Sequence, residues 1–191
     1  MNNRLLIVGA GGHGRSVAEA VMAIGQFAIA GFADDAAPSL PHVWDMPVLG
    51  NTADFQRYRA HADAAIVAIG NNALREALSD KLLQAGFSPV TLIHPRAIVS
   101  PSAIIGAGSV IMAGAIVGTE AKLGRGVIVN CGAVVDHHAQ VEDFGHLGVN
   151  ACMAGGAKLG RAAWLQAGVA LGYGANVTPG MVLACAPASK K

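Results

Sequence analysis

From Ala97 to Ala186 the chain repeats every six residues, fifteen times and with no insertion. The hexads run from Ala97-Ile98-Val99-Ser100-Pro101-Ser102 to Met181-Val182-Leu183-Ala184-Cys185-Ala186. Their third residue is always Val, Ile, Leu or Met, and their first is Ala in ten of the fifteen. A helix repeats its apolar face about every 3.6 residues and a strand about every 2, so neither alone produces a period of six. A parallel β-helix with three short flat faces does, because each hexad is one face and three faces make a coil. The fifteen hexads therefore predict about five coils, stacked at the strand spacing of about 4.8 Å and rising roughly 24 Å. The aliphatic third residue is expected to fill the interior, and the small first residue to let the chain turn the corner. Flat, Ala-rich faces favour self-association with closed cyclic symmetry.

Residues 1–93 carry a different pattern. Strands are expected at Arg4–Val8, Phe27–Phe32, Pro47–Gly50, Ala64–Ile69 and Val90–Ile93, and helices at Arg15–Ala23, Ala53–His61 and Asn72–Ala85. Alternating strands and helices imply a parallel sheet with right-handed crossovers, here about half of a doubly wound α/β domain. The boundary falls near His94-Pro95, which divides the chain into residues 1–93 and 94–191, with no Gly/Ser-rich linker between them.

The formal net charge of +1 offers no basic face for nucleic acid or for an anionic membrane. The longest apolar runs, such as Ala64–Ile69, are far too short for membrane insertion, and Arg4 followed by a run broken at Gly9 does not read as a secretory signal. Three cysteines, Cys131, Cys152 and Cys185, are an odd number without a framework, which points to reduced thiols and a cytoplasmic setting.

Two groups of residues point to chemistry. Gly9-Ala10-Gly11-Gly12-His13-Gly14 fits G-x-G-x-x-G between an expected strand and helix, where glycines admit a ligand to the backbone and the helix N-terminus attracts phosphate. Asp34 and Asp35 follow at the interval where an acidic residue meets a ribose or base. Half a doubly wound domain suits a nucleotide diphosphate better than a full dinucleotide, although an NAD-binding role stays open. The second group is His137, His138 and His146, in hexads that also carry Asn130, Asp136, Glu142 and Asp143. Imidazole takes a proton near pH ~6.5 and serves as a general base. The spacing is not that of a three-histidine zinc site, so no metal is expected. Adjacent side chains of an extended chain point in different directions.

Taken together, Ile7–Gly14, Asp34-Asp35, Ala68-Ile69-Gly70-Asn71-Asn72 with Arg75, Leu92-Ile93-His94-Pro95, the hexads, and Val135-Asp136-His137 followed by His146 resemble the bacterial sugar O-acyltransferase family. That family includes the NeuD/PglD-type sialic acid O-acetyltransferases and N-acetyltransferases of nucleotide-linked amino sugars. The resemblance implies a left-handed β-helix behind a Rossmann-like nucleotide-sugar-binding domain. It also implies a homotrimer with acetyl-CoA in a groove between solenoids. It makes His137 the general base, sets His146 and Asn130 near the reacting groups, and sets Gly11, Gly12, His13, Asp34, Asp35 and Asn71 around the substrate. Gly155, with Ala167 and Gly168, is expected at the cofactor, Gly155 as a backbone N–H donor. The activity implied is acetyl-CoA-dependent N-acetylation of a nucleotide-linked amino sugar in polysaccharide synthesis. O-acetylation of a sialic-acid-type sugar and a non-catalytic trimeric scaffold are the alternatives.

The chain departs from the family's pattern at three places. His138 stands where an acidic residue commonly follows the catalytic histidine. A second imidazole supplies no fixed negative charge, so either Asp136, Glu142 or Asp143 takes the orienting role, or the base is weaker, or His138 is itself the base. Val141-Glu142 replaces an Ile-Gly pair, and Cys185-Ala186-Pro187-Ala188 replaces the closing Gly-x-Pro-Ala. A hydroxyl is a poorer nucleophile than a free amine and leans harder on the base, so the missing acid tilts the expectation towards an amine.

Overall fold

Leu5, Leu6, Ile7 and Val8 are wholly buried, and the strand they form, β1 (Arg4–Val8), is central to the N-terminal sheet. The computed structural model describes residues 3–185. After β1 come α1 (Gly12–Ile24), β2 (Ala28–Ala33), β3 (His42–Val43), β4 (Met46–Gly50), β5 (Ala64–Val67), α2 (Asn72–Gln84) and β6 (Ser88–Pro89). The strand order is β3-β4-β2-β1-β5-β6. All neighbours are parallel except the β3–β4 hairpin. The chain leaves β1 for β2 on one side and returns to β5 on the other. The carboxyl end of β1 is therefore the point where strand order reverses, and open α/β sheets bind ligands there.

The helix expected over Ala53–His61 is reduced to a single 3₁₀ turn at Gln56–Tyr58. Asn51 Oδ1 accepts the Ala53 N–H and Asp54 Oδ1 accepts the Gln56 N–H, at 3.1 and 3.0 Å. Side chains here take backbone donors that a helix would need. Phe55 and Tyr58 still bury beneath α2 among Leu78 and Leu82.

The β-helix starts one face earlier than the run of Ala-led hexads. Leu92–Ile93, expected to lead into the repeat, pairs in parallel with Val110–Ile111 and is its first rung. Strands occupy the second and third hexad positions, and partners stand one coil apart along the chain, as in Val110↔Ile128 and Ile128↔His146. They form three sheets of six, five and five strands in a left-handed parallel β-helix. The third-position residues from Ile111 to Leu165 are buried inside the prism, each contributing roughly 1.5–3 kcal/mol.

The corners work differently from the sequence expectation. Every sixth residue from Gly108 to Gly180 has positive φ, and that residue makes the turn. The first-position alanines, such as Ala115, Ala133 and Ala151, lie wholly buried behind it. Glycine is the cheap occupant of such a corner, yet Glu120, His138, Phe144, Asn150 and Ala162 stand there with φ between 54° and 59°.

The three outer faces differ in what their second-position residues offer. The first carries Leu92, Val110 and Ile128, and Leu92 and Val110 are buried with Val17, Ala18 and Val21 of α1 in a core shared with the N-terminal sheet. The second carries Ile98, Ile116, Val134, Cys152 and Ala170, and Ile98 is 66% exposed. The third carries Ile104, Lys122, Gln140, Lys158 and Asn176. One face is thus covered by the N-terminal sheet, one is apolar and uncovered, and one is mostly polar. Among the described residues no helix is long and apolar enough to cross a membrane.

Candidate active site

The glycine turn sits at the carboxyl end of β1, as its pattern requires. Gly9 (φ 108°) and Gly14 are there for packing: a Cβ on Gly9 would meet the Ala68 carbonyl, and one on Gly14 would meet Gly9 itself. Gly11 caps α1, and a Cβ on Gly11 or Gly12 would meet only open space. That space is a cleft of about 400 Å³, bounded by Gly11, Gly12, His13, Asp34, Asp35 and Thr52, with Ala68, Ile69 and Gly70 opposite. The two aspartates are already engaged. Asp34 accepts the Ala10 and Ala36 N–H groups at 2.7 and 2.8 Å and so braces the turn. Asp35 accepts both the N–H and the hydroxyl of Thr52, which hold its carboxyl below the usual range. Asn71 caps α2, its Oδ1 accepting the Leu74 N–H at 2.9 Å.

Behind the cleft the N-terminal sheet meets the first solenoid face. His146 lies there, buried, its Nδ1 3.3 Å from the Gly70 carbonyl and its ring stacked on Trp164 at 5.1 Å. A carbonyl only accepts, so Nδ1 carries the proton and Nε2 offers a lone pair. The His13 and His146 Nε2 atoms are both buried without a hydrogen-bond partner. Burial, helped by the Arg75 cation, lowers His13 to about 4. Burial, then Arg75 and His13, lower His146 to about 3, against a smaller opposing effect of the Gly70 carbonyl. Both rings are neutral near pH 7. Arg75 is itself 1% exposed, and its guanidinium donates to the carbonyls of Gly126, Phe144 and Ile69 at 2.8, 2.7 and 3.0 Å. It bolts the β5–α2 loop to two successive coils.

His137 and His138 occupy another part of the prism, the corner between the apolar and polar faces. Their side chains are 51% and 60% exposed. The left-handed conformation at His138 (φ 59°) turns the two rings together, with Nδ1 atoms 3.0 Å apart. This differs from the divergence expected of neighbours in an extended chain, because the corner is not extended. One coil further on, Gly155 lies against His137, and a Cβ there would fall on the imidazole ring. The Gly155 N–H donates to no backbone carbonyl among the described residues.

Within one chain the remaining expected residues are dispersed. Asn130 follows a first-face strand and its Oδ1 accepts the neighbouring Cys131 N–H at 2.8 Å. Ala167 and Gly168 form the corner between the first and apolar faces, with Cys185 Sγ 3.5 Å from the Ala167 carbonyl. The rest of the closing Cys185–Ala188 stretch lies outside the described residues. His146, on the first face, is across the prism from the His137 corner. Of the carboxylates considered for His137, Glu142 accepts the Arg161 N–H and Asp143 the Arg125 N–H, at 2.7 and 2.9 Å, at a different corner. Asp136 accepts the His137 N–H at 2.7 Å, and its other oxygen is 3.8 Å from His137 Nε2. The carboxylate beside His138 is Glu120, 3.1 Å from Nε2. Glu120 lies eighteen residues from His138 and so has no local sequence signal; that separation is one coil, and the coil period is the signal that finds it.

A triangular solenoid with paired imidazoles at one corner, and a nucleotide-type cleft on the domain packed against one face, defines a hexapeptide-repeat acyltransferase. Residues 4–82 match the PglD N-terminal domain family. The acetyltransferase domain of PglB from Neisseria gonorrhoeae FA1090, in complex with acetyl coenzyme A, is 36% identical. That match covers 95% of this chain and 96% of the other, with a TM-score of 0.82. PerB from Caulobacter crescentus, in complex with CoA and GDP-perosamine, is 36% identical over 94% of this chain and 88% of the other, with a TM-score of 0.80. WeeI from Acinetobacter baumannii AYE shares the fold at 23% identity, covering 94% of this chain and 91% of the other, with a TM-score of 0.69. A search of the curated proteins finds no match. The chain belongs to the NeuD/PglD-type sugar acyltransferase family.

Proposed function

We propose that this protein is an acetyl-CoA-dependent N-acetyltransferase acting on a nucleotide-linked amino sugar, and that it works as a homotrimer in the cytoplasm in polysaccharide synthesis. The observation that carries the reading is His137 over Gly155, at the edge of an uncovered apolar face. The likeness to a structure holding acetyl-CoA and to one holding CoA with GDP-perosamine supports the cofactor and the substrate class.

A trimer is supported by the outer faces. A column of exposed Ile98 and Ile116 with half-buried Val134 is an apolar patch of the kind that marks an interface, and cyclic closure buries it in every copy. Trimerisation also addresses the dispersal of the site. His13 and His146 face the cleft side, across the prism from His137, so a neighbouring copy is needed to bring both halves to one seam. Ala167 and Gly168 at one edge of the apolar face, and Gly155 at the other, are suited to opposite walls of an acetyl-CoA groove between copies.

In the proposed reaction the sugar amine attacks the thioester carbonyl carbon. His137 Nε2 takes the proton that the nitrogen loses as the C–N bond forms. The Gly155 N–H donates to the carbonyl oxygen as it becomes negative, an interaction of the kind worth about 3 kcal/mol. The C–S bond then breaks, and the CoA sulfur leaves with the proton returned from His137. The products are the N-acetyl sugar and free CoA thiol.

The test is thiol release from acetyl-CoA with a panel of UDP-, GDP- and dTDP-linked amino sugars, their N-acetylated forms and free sialic acid. Release confined to a sugar with a free amine is expected, falling by about 10²–10⁴ in His137→Ala while CoA still binds. Release with sialic acid alone, or full activity in His137→Ala, overturns the reading.

A further inference from the structure

We propose that Glu120 is a positioning residue for His137, acting through His138, so that a carboxylate–imidazole–imidazole relay replaces the acidic neighbour this chain lacks. The inference rests on the reading of His137 as the base.

Glu120 and His138 both end a hexad and stack one coil apart at the same corner, the His138 N–H donating to the Thr119 carbonyl at 2.9 Å. Both hold positive φ, 56° and 59°, in a position that glycine fills in the next two coils of the column, at Gly156 and Gly174. Non-glycine residues are disfavoured in this conformation, so this corner holds two side chains against local preference. Ser102, one coil earlier, accepts the Glu120 N–H at 3.0 Å and fixes its backbone.

Proton bookkeeping gives the stack a direction. The Glu120 carboxylate, Oε2, is 3.1 Å from His138 Nε2, and an ionised carboxylate only accepts. The proton of neutral His138 therefore sits on Nε2 and leaves Nδ1 as an acceptor. His138 Nδ1 is 3.0 Å from His137 Nδ1, so His137 donates from Nδ1 and its Nε2 keeps the lone pair. That nitrogen is the one turned to Gly155, where a Cβ would meet it. As Nε2 gains a proton, the positive charge on His137 is relayed towards Glu120. Asp136 Oδ2, 3.8 Å from the same Nε2, is the other charged group facing the ring and would favour a proton on Nε2, but that distance is beyond hydrogen-bond reach, whereas the Nδ1–Nδ1 contact at 3.0 Å is within it.

Two measurements test the relay, one of them independent of activity. In protein labelled with ¹⁵N-histidine, ring-nitrogen spectra of the wild type at neutral pH are expected to show His137 as the Nδ1–H tautomer and His138 as Nε2–H, with His137→Ala and His138→Ala assigning the signals. An Nε2–H tautomer at His137 overturns the proposal. In kinetics, Glu120→Gln is expected to lower kcat about ten-fold, part of what a general base contributes, with both KM values unchanged. His138→Glu supplies a carboxylate beside His137 directly, so Glu120→Gln in that background is expected to cost nothing further. Equal losses in both backgrounds overturn the relay and leave Glu120 a merely structural residue. Failure of every amino sugar to release thiol from the wild type refutes the proposed function instead, and the tautomer measurement still decides the relay.

Discussion

Gly155 lies so close to His137 that a Cβ on the glycine would occupy the space of the imidazole ring. The contact runs between successive coils at one corner, and it sets the ring's height above the Gly155 N–H. Gly155 has no left-handed backbone requirement, so alanine fits its main chain. What has to move is the ring. Gly155→Ala is therefore expected to lower kcat by about 10²-fold or more, since a displacement of about 1 Å at a reacting group costs that much, while melting temperature stays close to wild type. Steady-state kinetics with a thermal melt check it; an active Gly155→Ala enzyme would mean that His137 has freedom to reposition.

Arg75 is the second point at which structure and chemistry meet. Its guanidinium serves the Gly126, Phe144 and Ile69 carbonyls from a fully buried position. Replacing it by Leu leaves the Gly126 and Phe144 carbonyls without that donor at the junction. Each orphaned group costs about 1–3 kcal/mol, so Arg75→Leu is expected to lose about 3 kcal/mol or more in chemical denaturation. Arg75→Lys is expected to recover only part, because an ammonium does not span the fork that guanidinium does.

The neutral histidines at this junction make stability depend on pH. His13 at about 4 and His146 at about 3 both lie below the unfolded imidazole value of about 6.5. In mild acid the unfolded chain therefore binds more protons than the folded one, and stability falls as pH drops below about 6.5 towards the folded values. Between pH 7 and pH 5 the expected loss is about 2 kcal/mol for each histidine. Urea denaturation at the two pH values measures it, and a His13→Gln/His146→Gln double variant is expected to show a clearly smaller difference between them.

How much of this was legible beforehand depended on the range of the signal. The solenoid was, because its third-position aliphatics repeat without interruption. So was the turn after β1, whose glycines lie between a strand and a helix. The 3₁₀ turn at Gln56–Tyr58 was not, since Asn51 and Asp54 override an otherwise acceptable helical stretch. The pairing of Glu120 with His138 was hidden by a corner conformation that only a coil register reveals. The separation of His146 from His137 follows from the same register, which assigns them to different faces; reading all three histidines as one cluster rested on nearness in the chain.

The corner rule leads to a prediction away from any proposed site. Ala162 holds φ 54° at a sixth position where eight other corners from Gly108 to Gly180 carry glycine. Its backbone is well used: the N–H donates to the Asp143 carbonyl and its own carbonyl accepts from Asn72, at 2.9 and 2.8 Å. Its side chain is a single methyl, so removing it forfeits little contact. Left-handed alanine is strained by roughly 1–2 kcal/mol relative to its preferred conformations, whereas glycine adopts the turn freely but loses more entropy on folding. The strain relieved exceeds the roughly 0.5–1 kcal/mol entropic penalty, so Ala162→Gly is expected to raise stability by about 0.5–1 kcal/mol. The same change at Glu120 relieves the same strain but removes the carboxylate beside His138. A thermal melt paired with a turnover assay separates the two effects: both variants should melt higher, and only Glu120→Gly should lose rate, by about the ten-fold expected of Glu120→Gln.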